Sequence, residues 1–258
     1  MTRLPSLYIS HGSPTTALQP GLTGERLAEV AAGLPRPRAI VIASAHWLSH
    51  RPQVGSVPRP ETIHDFDGFP AALDQLHYPA PRCTCTGRAG AAVAESGGSG
   101  TLPDRGLDHG AWVPLRLLYP AADIPVVPLS IQPELGPRHH YALGRALAPL
   151  RDEGVLVIGS GGISHNLHDL HAGYSDERQA PYVKPFIQWI ERKLARGDID
   201  ALLDYRRQAP FAERAHHTDE HLLPLFVALD AAGENAHAQR IDAGIDMGLL
   251  AMDIYRFD

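Results

Sequence analysis

The chain has 258 residues, of which 44% are hydrophobic and 20% are charged, the composition of an ordinary soluble globular protein with enough length for a sizeable core. Its net charge of −6, without a basic stripe, argues against nucleic acid and anionic membranes as partners. No apolar stretch approaches the roughly 20 residues of a membrane span, and the Met-Thr-Arg start leads straight into strand-like sequence, so we expect a cytoplasmic protein.

Apolar β-branched runs alternate with helical periodicities along the chain and predict an α/β protein. The predicted strands cover residues 7–10, 53–57, 125–131 and 155–159, and another strand begins near Ala39. The predicted helices cover residues 24–34, 71–76, 89–95, 112–118, 138–153, 181–195, 198–205 and 218–232. Since no repeat or clear linker divides this pattern, we interpret residues 1–258 as a single domain. Its core would be a central, mostly parallel or mixed sheet flanked by helices.

The segment between residues 82 and 100 has two local features. Cys83 and Cys85 form a C-x-C pair, and because no second pair accompanies it, we expect two free thiols rather than a zinc site or a disulfide framework. The sequence Gly97-Gly98-Ser99-Gly100 predicts a flexible stretch.

Three predicted strands lead through small residues to a histidine, namely His11, His46 and His165. Continuous β-branched runs are typical of parallel strands that are buried on both faces. In open α/β sheets the ligand crevice lies outside the carboxyl ends of the strands. Three imidazoles at one edge of one sheet therefore predict a metal site at those strand ends. Imidazole suits Zn, Cu, Fe and Ni, so the ligand type leaves the metal open.

The glycines after the strand at residues 155–159 point to a close approach of the chain to a compact site. The run Gly159-Ser160-Gly161-Gly162 matches neither the dinucleotide fingerprint nor the phosphate-binding loop. It also lacks the G-x-S-x-G pattern of a nucleophile elbow. A nucleotide site and a serine hydrolase site are therefore disfavoured.

Two further histidines stand outside the strand ends. His109 lies in a predicted loop, and His221 lies in the predicted helix that Thr218 would cap. His217 precedes His221 by four residues, a spacing that lets two side chains share a metal. Glu220 and His221 would point about 100° apart on a helix, so we do not expect both to face one ion. The alternatives are an ordinary loop histidine at His109 and a solvated helix start at His217 and Glu220, whereas His221 lies next to the apolar face of the predicted helix.

Seven short motifs, in this order, resemble the class III (LigB-type) extradiol ring-cleavage dioxygenases, in particular the branch that resembles DOPA 4,5-dioxygenase. The motifs are His11-Gly12-Ser13-Pro14, Ser44-Ala45-His46-Trp47, His64-Asp65-Phe66 with Gly68-Phe69-Pro70, His77-Tyr78-Pro79-Ala80-Pro81, Leu107-Asp108-His109-Gly110, Ser164-His165-Asn166-Leu167 and Glu220-His221-Leu222-Leu223-Pro224-Leu225. The resemblance extends from residue 7 to about residue 230.

This resemblance implies a single catalytic domain with a non-haem Fe(II) centre, which Zn often replaces in purified samples. It implies that a catechol and O2 are the substrates and that both oxygen atoms enter the opened ring. DOPA, protocatechuate-like acids and hydroxylated lignin fragments are all candidate catechols. We expect a monomer or a small homo-oligomer.

The resemblance also implies roles for individual residues. His11 and His46 look like metal ligands, and His221 is similar to the third, with Glu220 as its rival. His165 resembles a residue that is described either as a fourth ligand or as the catalytic acid/base. His109 resembles the substrate-facing histidine. As a hypothesis, Trp47 and Phe69 form an apolar wall for the aromatic ring.

Two other functions would use many of the same residues. A Zn-dependent hydrolase would use the same histidines to activate a water molecule. A non-catalytic binding protein on the same scaffold would not need both His109 and His165, so the presence of both argues against it.

Overall fold

A six-stranded mixed sheet lies at the centre of the computed structural model, which describes residues 3–55, 57, 59–81, 86–95, 104–234 and 236–258. The strands are β1 (Ser6–Ser10), β2 (Ala39–Leu48), β3 (Val126–Ile131), β4 (Val155–Gly161), β5 (Ala238–Ile241), β6 (Ile245–Asp246), β7 (Leu250–Ala251) and β8 (Ile254–Phe257). The order in the sheet is β3-β2-β4-β1-β8-β5, while β6 and β7 form a separate pair. The thiol and flexible-stretch predictions for residues 83, 85 and 97–100 lie outside the described residues.

Strands β1 to β4 pair in parallel, and β8 pairs antiparallel with both β1 and β5. This confirms the predicted α/β class with a mixed central sheet. The predicted strand at residues 53–57 is wrong over its described residues 53–55 and 57, where Val54 makes only an isolated bridge to Leu129. Pro52 and Pro58 flank this segment, and proline has no N–H to donate to a strand ladder.

Helices cover both faces of the sheet. They are α1 (Gly21–Ala32), α2 (Thr86–Glu95), α3 (His109–Leu118), α4 (Gly136–Leu147), α5 (Val183–Ala195), α6 (Ile199–Leu203), α7 (Tyr205–Gln208), α8 (Ala212–Ala215) and α9 (Leu223–Ala232). The predicted helix at 71–76 is instead a 3-10 turn at Ala71–Gln75, and the predicted helix at 138–153 ends as a 3-10 segment at Ala148–Glu153. Pro149 follows the end of α4, where proline disfavours continuation of an α-helix.

Alternate residues of each central strand enter two separate cores. Val41 of β2 lies in one core with side chains of α4, α5 and α9, while its neighbours Ile40 and Ile42 lie in the other with side chains of α1 and α3. This alternation is the period-2 geometry of a strand. The two cores make one three-layer domain and bury β1 to β4 on both faces. Within the described ranges, no helix is both long enough and apolar enough to cross a membrane.

Candidate metal centre and active site

Three neighbouring parallel strands bring their histidines to the same edge of the sheet. His11 directly follows β1, and His46 lies in the last part of β2. His165 comes four residues after β4, which lies between β1 and β2 in the sheet. The predicted gathering of strand-end histidines is therefore present in the fold.

The imidazoles of His11, His46 and His221 point their Nε2 atoms at one another. The Nε2 atom of His46 lies 3.0 Å from Nε2 of His11 and 3.3 Å from Nε2 of His221. For metal–nitrogen distances of about 2.1 Å, ligand nitrogens lie about 3.0 Å apart at right angles and about 3.4 Å apart in a tetrahedral arrangement. Both of these distances from Nε2 of His46 match the spacing of two ligands on one ion.

In His11 and His221, the hydrogen bond made by the second ring nitrogen, Nδ1, defines the tautomer. Ser160 donates its hydroxyl proton to the carbonyl oxygen of Gly110, so its oxygen accepts from Nδ1–H of His11 at 3.0 Å. The carboxylate of Glu220 accepts from Nδ1–H of His221 at 3.1 Å. In both rings the proton is at Nδ1, and Nε2 therefore carries the lone pair that a metal would need.

Burial keeps these imidazoles neutral. Burial and the neighbouring histidines hold the pKa values of His11 and His221 well below the ordinary histidine value. Burial, followed by the charge of His109, lowers the pKa of His46 to about 3. Neutral histidine is the form that binds metals. The donor set, its spacing and its protonation therefore fit a transition-metal ion.

His221 reaches the site through contacts of its backbone. Its carbonyl oxygen accepts hydrogen bonds from Gly162 N–H at 2.9 Å and from the Tyr8 hydroxyl at 3.0 Å. A Cβ atom on Gly161 would lie only 1.9 Å from that oxygen. The close approach predicted for the glycines of residues 159–162 is therefore present, and its partner is His221.

The helix that was predicted to begin at Thr218 is wrong in its start, because α9 begins at Leu223. The Thr218 hydroxyl donates to the Glu220 carboxylate instead of capping the helix. Since residues 219–222 form a turn, the helical angle expected between Glu220 and His221 does not apply. His217 also departs from the predicted pairing with His221, since its ring packs on His168 at 4.2 Å.

His109 is the first residue of α3, three residues before the predicted start of that helix. Asp108 caps the helix, accepting from Ala111 N–H and from the Ser44 hydroxyl. At Gly110 a Cβ atom would lie 2.7 Å from the Ser44 oxygen and 2.9 Å from Cδ2 of His46. Glycine here allows α3 to begin directly against the histidines.

His109 and His165 flank the three converging imidazoles on different sides. The ring centroids of His46 and His109 are 3.9 Å apart. The His165 ring stacks on that of His221 with centroids 3.4 Å apart and an interplanar angle of 5°. Burial lowers the pKa of His165 to about 4, so this imidazole is neutral at physiological pH.

Aromatic residues extend the site outward from His109. Phe66 lies edge-on to His109 with ring centroids 5.7 Å apart, and Phe69 lies edge-on to Phe66 at 5.5 Å. Phe69 is 40% exposed, as a residue at the entrance of a site would be. Trp47 packs under the guanidinium of Arg105, and its role as a wall of the substrate site stays a prediction.

Sequence reasoning missed Ser160, Phe66 and Asp65 as residues of the site. Asp65 lies with Oδ1 3.1 Å from Nδ1 of His109 and Oδ2 3.8 Å from Nδ1 of His46. Burial raises the pKa of Asp65, but hydrogen bonding and charge interaction with His109 outweigh it and hold the value at about 2. The only sequence signal for Asp65 and Phe66 is that both belong to the motif that begins at His64.

Comparison with known proteins identifies the family. The family described as the catalytic LigB subunit of aromatic ring-opening dioxygenase matches residues 5–245. A protein of Beta vulgaris named 4,5-DOPA dioxygenase extradiol is 42% identical over 98% of this chain and 96% of its own length. A protein of Escherichia coli K12 with the same name is 36% identical over 97% and 93%, respectively.

A solved structure shares the fold over the whole chain. The crystal structure of an uncharacterized protein from Escherichia coli K12 is similar with a TM-score of 0.79 and 30% sequence identity, covering 99% of this chain and 100% of that one. These matches confirm the resemblance carried by the sequence motifs. The chain belongs to the LigB family of aromatic ring-opening dioxygenases and is an enzyme of the extradiol class.

Proposed function

We propose that this enzyme is an Fe(II)-dependent extradiol dioxygenase that cleaves the ring of a DOPA-like or related catechol and inserts both atoms of O2. The observation that carries the proposal is the convergence of three Nε2 atoms within 3.3 Å of their neighbours. The relatives named 4,5-DOPA dioxygenase extradiol support a DOPA-like substrate.

His11, His46 and His221 would hold the metal on one side and leave the other side open to two catechol oxygens and O2. A ferrous ion bound there supplies Lewis acidity and the reaction with O2, and Zn is the ion we expect to replace it in purified protein. Glu220 contacts Nδ1 of His221. This supports His221 over Glu220 as the third ligand, with Glu220 orienting the imidazole.

His165 is proposed as the acid/base of the reaction. A ring nitrogen of the neutral imidazole accepts the proton of the second phenolic hydroxyl and later returns it to the product. General acid/base groups of this kind contribute about 10²- to 10⁴-fold to turnover. The stacking of His165 on His221 supports this role, because it holds the base beside the proposed ligands. The stacked geometry argues against His165 as a fourth metal ligand.

His109 is proposed to contact the substrate oxygens. Its ring adjoins that of His46, so a catechol oxygen near the metal would lie within reach of the imidazole. Phe66 and Phe69 would pack against the aromatic ring of the substrate, and we retain Trp47 as a predicted wall residue. A cytoplasmic monomer or small homo-oligomer remains our prediction for the enzyme in the cell.

The test is anaerobic reconstitution of the protein with Fe(II), followed by air and a panel of catechols. We expect one O2 consumed per catechol and a yellow ring-opened semialdehyde, with both oxygen atoms labelled when ¹⁸O2 is supplied. A Zn-dependent hydrolase would act without O2 and without Fe(II). A binding protein would retain the catechol unchanged. Either of these results would contradict the proposal.

A further inference from the structure

One carboxylate contacts two histidines of the site at once. Oδ1 of Asp65 accepts from the backbone N–H of His109 at 2.8 Å and lies 3.1 Å from Nδ1 of the same residue. Oδ2 lies 3.8 Å from Nδ1 of His46. The Asp65 side chain is 22% exposed and that of His109 is 9% exposed. The carboxylate thus faces inward, toward the two imidazoles.

The segment that carries Asp65 is held in place by the chain just before α3. Ile63 N–H donates to the carbonyl of Leu107, and Leu107 N–H donates to the carbonyl of Glu61, both at 2.8 Å. The Trp112 indole donates to the carbonyl of Ile63 at 3.0 Å. Residues 61–63 and Leu107 are thus joined by backbone hydrogen bonds. Asp65 follows the first of these segments, and His109 follows the second. Their proximity results from this pairing and does not depend on the side-chain contact itself.

The Nδ1 atom of His109 needs a partner. It is buried, and within the described part of the chain it makes no hydrogen bond of good geometry. The Asp65 oxygen at 3.1 Å is an acceptor that a small rotation of the imidazole brings into line. Leaving a buried N–H unpaired costs about 1–3 kcal/mol. A lone pair on Nδ1 would face the carboxylate oxygen at 3.1 Å and be repelled by it, so a proton of the His109 ring belongs on Nδ1.

We infer that Asp65 is a positioning residue that fixes the tautomer and orientation of His109, so that the lone pair of His109 Nε2 faces the substrate. The ring places Nε2 on the side opposite Asp65. There it accepts a hydrogen bond from a catechol hydroxyl, while the second Asp65 oxygen supports His46. The substrate contact in this inference rests on the proposed function, but the tautomer assignment does not.

The first test is the tautomer of His109 in the zinc-loaded, ¹⁵N-labelled full-length protein. Long-range ¹H–¹⁵N correlation spectra distinguish a histidine protonated at Nδ1 from one protonated at Nε2. We expect the Nδ1–H form in the wild type. We expect this preference to be lost in Asp65→Ala, because the variant removes the oxygen that would accept from Nδ1–H. An Nε2–H tautomer in the wild type would by itself overturn the inference, whether or not the variant folds.

The second test separates positioning from a merely structural role. Asp65→Ala should bind as much metal as the wild type and keep KM within about threefold, while kcat falls about 10- to 100-fold, the range typical for partners of metal-site histidines. The matched control is Asp67→Ala, a variant that removes an exposed carboxylate from the same loop. This control should match the wild type.

Three results would contradict the assignment to Asp65. They are an unchanged His109 tautomer in Asp65→Ala, a kcat of that variant within twofold of the wild type, and a loss of metal that accounts for the whole loss of activity. The last would mean that Asp65 acts through His46 instead. If the wild type turns over no catechol, the proposed function fails, and the tautomer comparison still decides the role of Asp65.

Discussion

The two halves of the candidate metal centre are built differently. His11 directly follows β1 and His46 lies on β2, two central strands whose backbones are held by paired neighbours and two hydrophobic cores. His221 lies on a turn before α9 and is held by hydrogen bonds to its own carbonyl oxygen. A strand positions a side chain by the regular geometry of the sheet. A turn needs particular partners from elsewhere in the chain, and here those partners are Tyr8 and Gly162.

The largest expected effect concerns the half of the site that His11 and His46 form. His46→Ala should lower metal affinity by more than the 10- to 100-fold that loss of a ligand's hydrogen-bond partner typically costs, because Nε2 of His46 lies between the other two nitrogens. Metal content after dialysis against a weak chelator measures this effect.

His165→Ala is the contrasting variant for this prediction. It should retain the metal and lose about 10²- to 10⁴-fold in turnover, as expected for removal of an acid/base group. Oxygen consumption measured alongside metal content separates the two variants. Unchanged oxygen consumption in either one would refute the role assigned to that residue.

The half of the site that His221 forms can be disturbed without substituting a histidine. In Gly161→Ala the new Cβ would lie 1.9 Å from the carbonyl oxygen of His221, so the turn must move. We expect a loss of at least about 3 kcal/mol in the free energy of unfolding, the upper end of overpacking costs, together with weaker metal binding. Urea unfolding and metal titration measure the two effects.

Gly162→Ala is the matched control for the turn, since its new Cβ would meet no atom closer than 3.4 Å. Its free energy of unfolding should change by less than about 1 kcal/mol. Equal effects of the two substitutions would show that the close approach of His221 to β4 does not position this half of the site.

The last expected effect concerns a histidine outside the site. Burial lowers the pKa of His140 to about 4, whereas histidine in an unfolded chain has a pKa of about 6.5. Between these values the unfolded state binds the extra proton, so the stabilisation that neutral His140 provides is lost as pH falls from about 6.5 to about 4. Asp253 opposes this trend, because burial raises its pKa to about 6. The test therefore compares the free energy of unfolding of a His140 variant with that of the wild type at each pH.

We expect His140→Gln to be less stable than the wild type at pH 7, with a gap that narrows by up to about 1.4 kcal/mol per pH unit as the pH falls through this window. Urea unfolding across the pH range measures the gap. His50, whose side chain is 92% exposed, provides the control. His50→Gln measures the effect of replacing a histidine by glutamine at an exposed position. A gap for His140→Gln that stays constant or widens on acidification would contradict the prediction.

The same contrast explains what the sequence could and could not predict. The apolar runs before His11 and His46 predicted their place at the sheet edge, because a parallel strand delivers its last residues to a known location. The local environment of His221 was predicted wrongly, since its helical pattern was extended back to Thr218. The contact that decides its position joins residues 213 apart in sequence, and local periodicity carries no information on such a pair.

Asp65 and Ser160 were missed for a related reason. Each is a single polar residue whose role depends on the imidazole it contacts, and neither belongs to a spacing pattern that predicts metal or acid/base chemistry. Ser160 contacts His11 from a neighbouring strand, and Asp65 contacts His109 across a pairing of two loop segments. Only the assembled fold brings these partners together.

The central claim is that three imidazoles, far apart along the chain, bind one ion. Crystallography of the metal-loaded enzyme, with anomalous scattering recorded at the absorption edge of the metal, tests it most directly. The account predicts a single anomalous peak about 2.1 Å from Nε2 of His11, His46 and His221, with His165 beside it and not bound to it. A peak elsewhere, or one bound to Glu220 in place of His221, would contradict it.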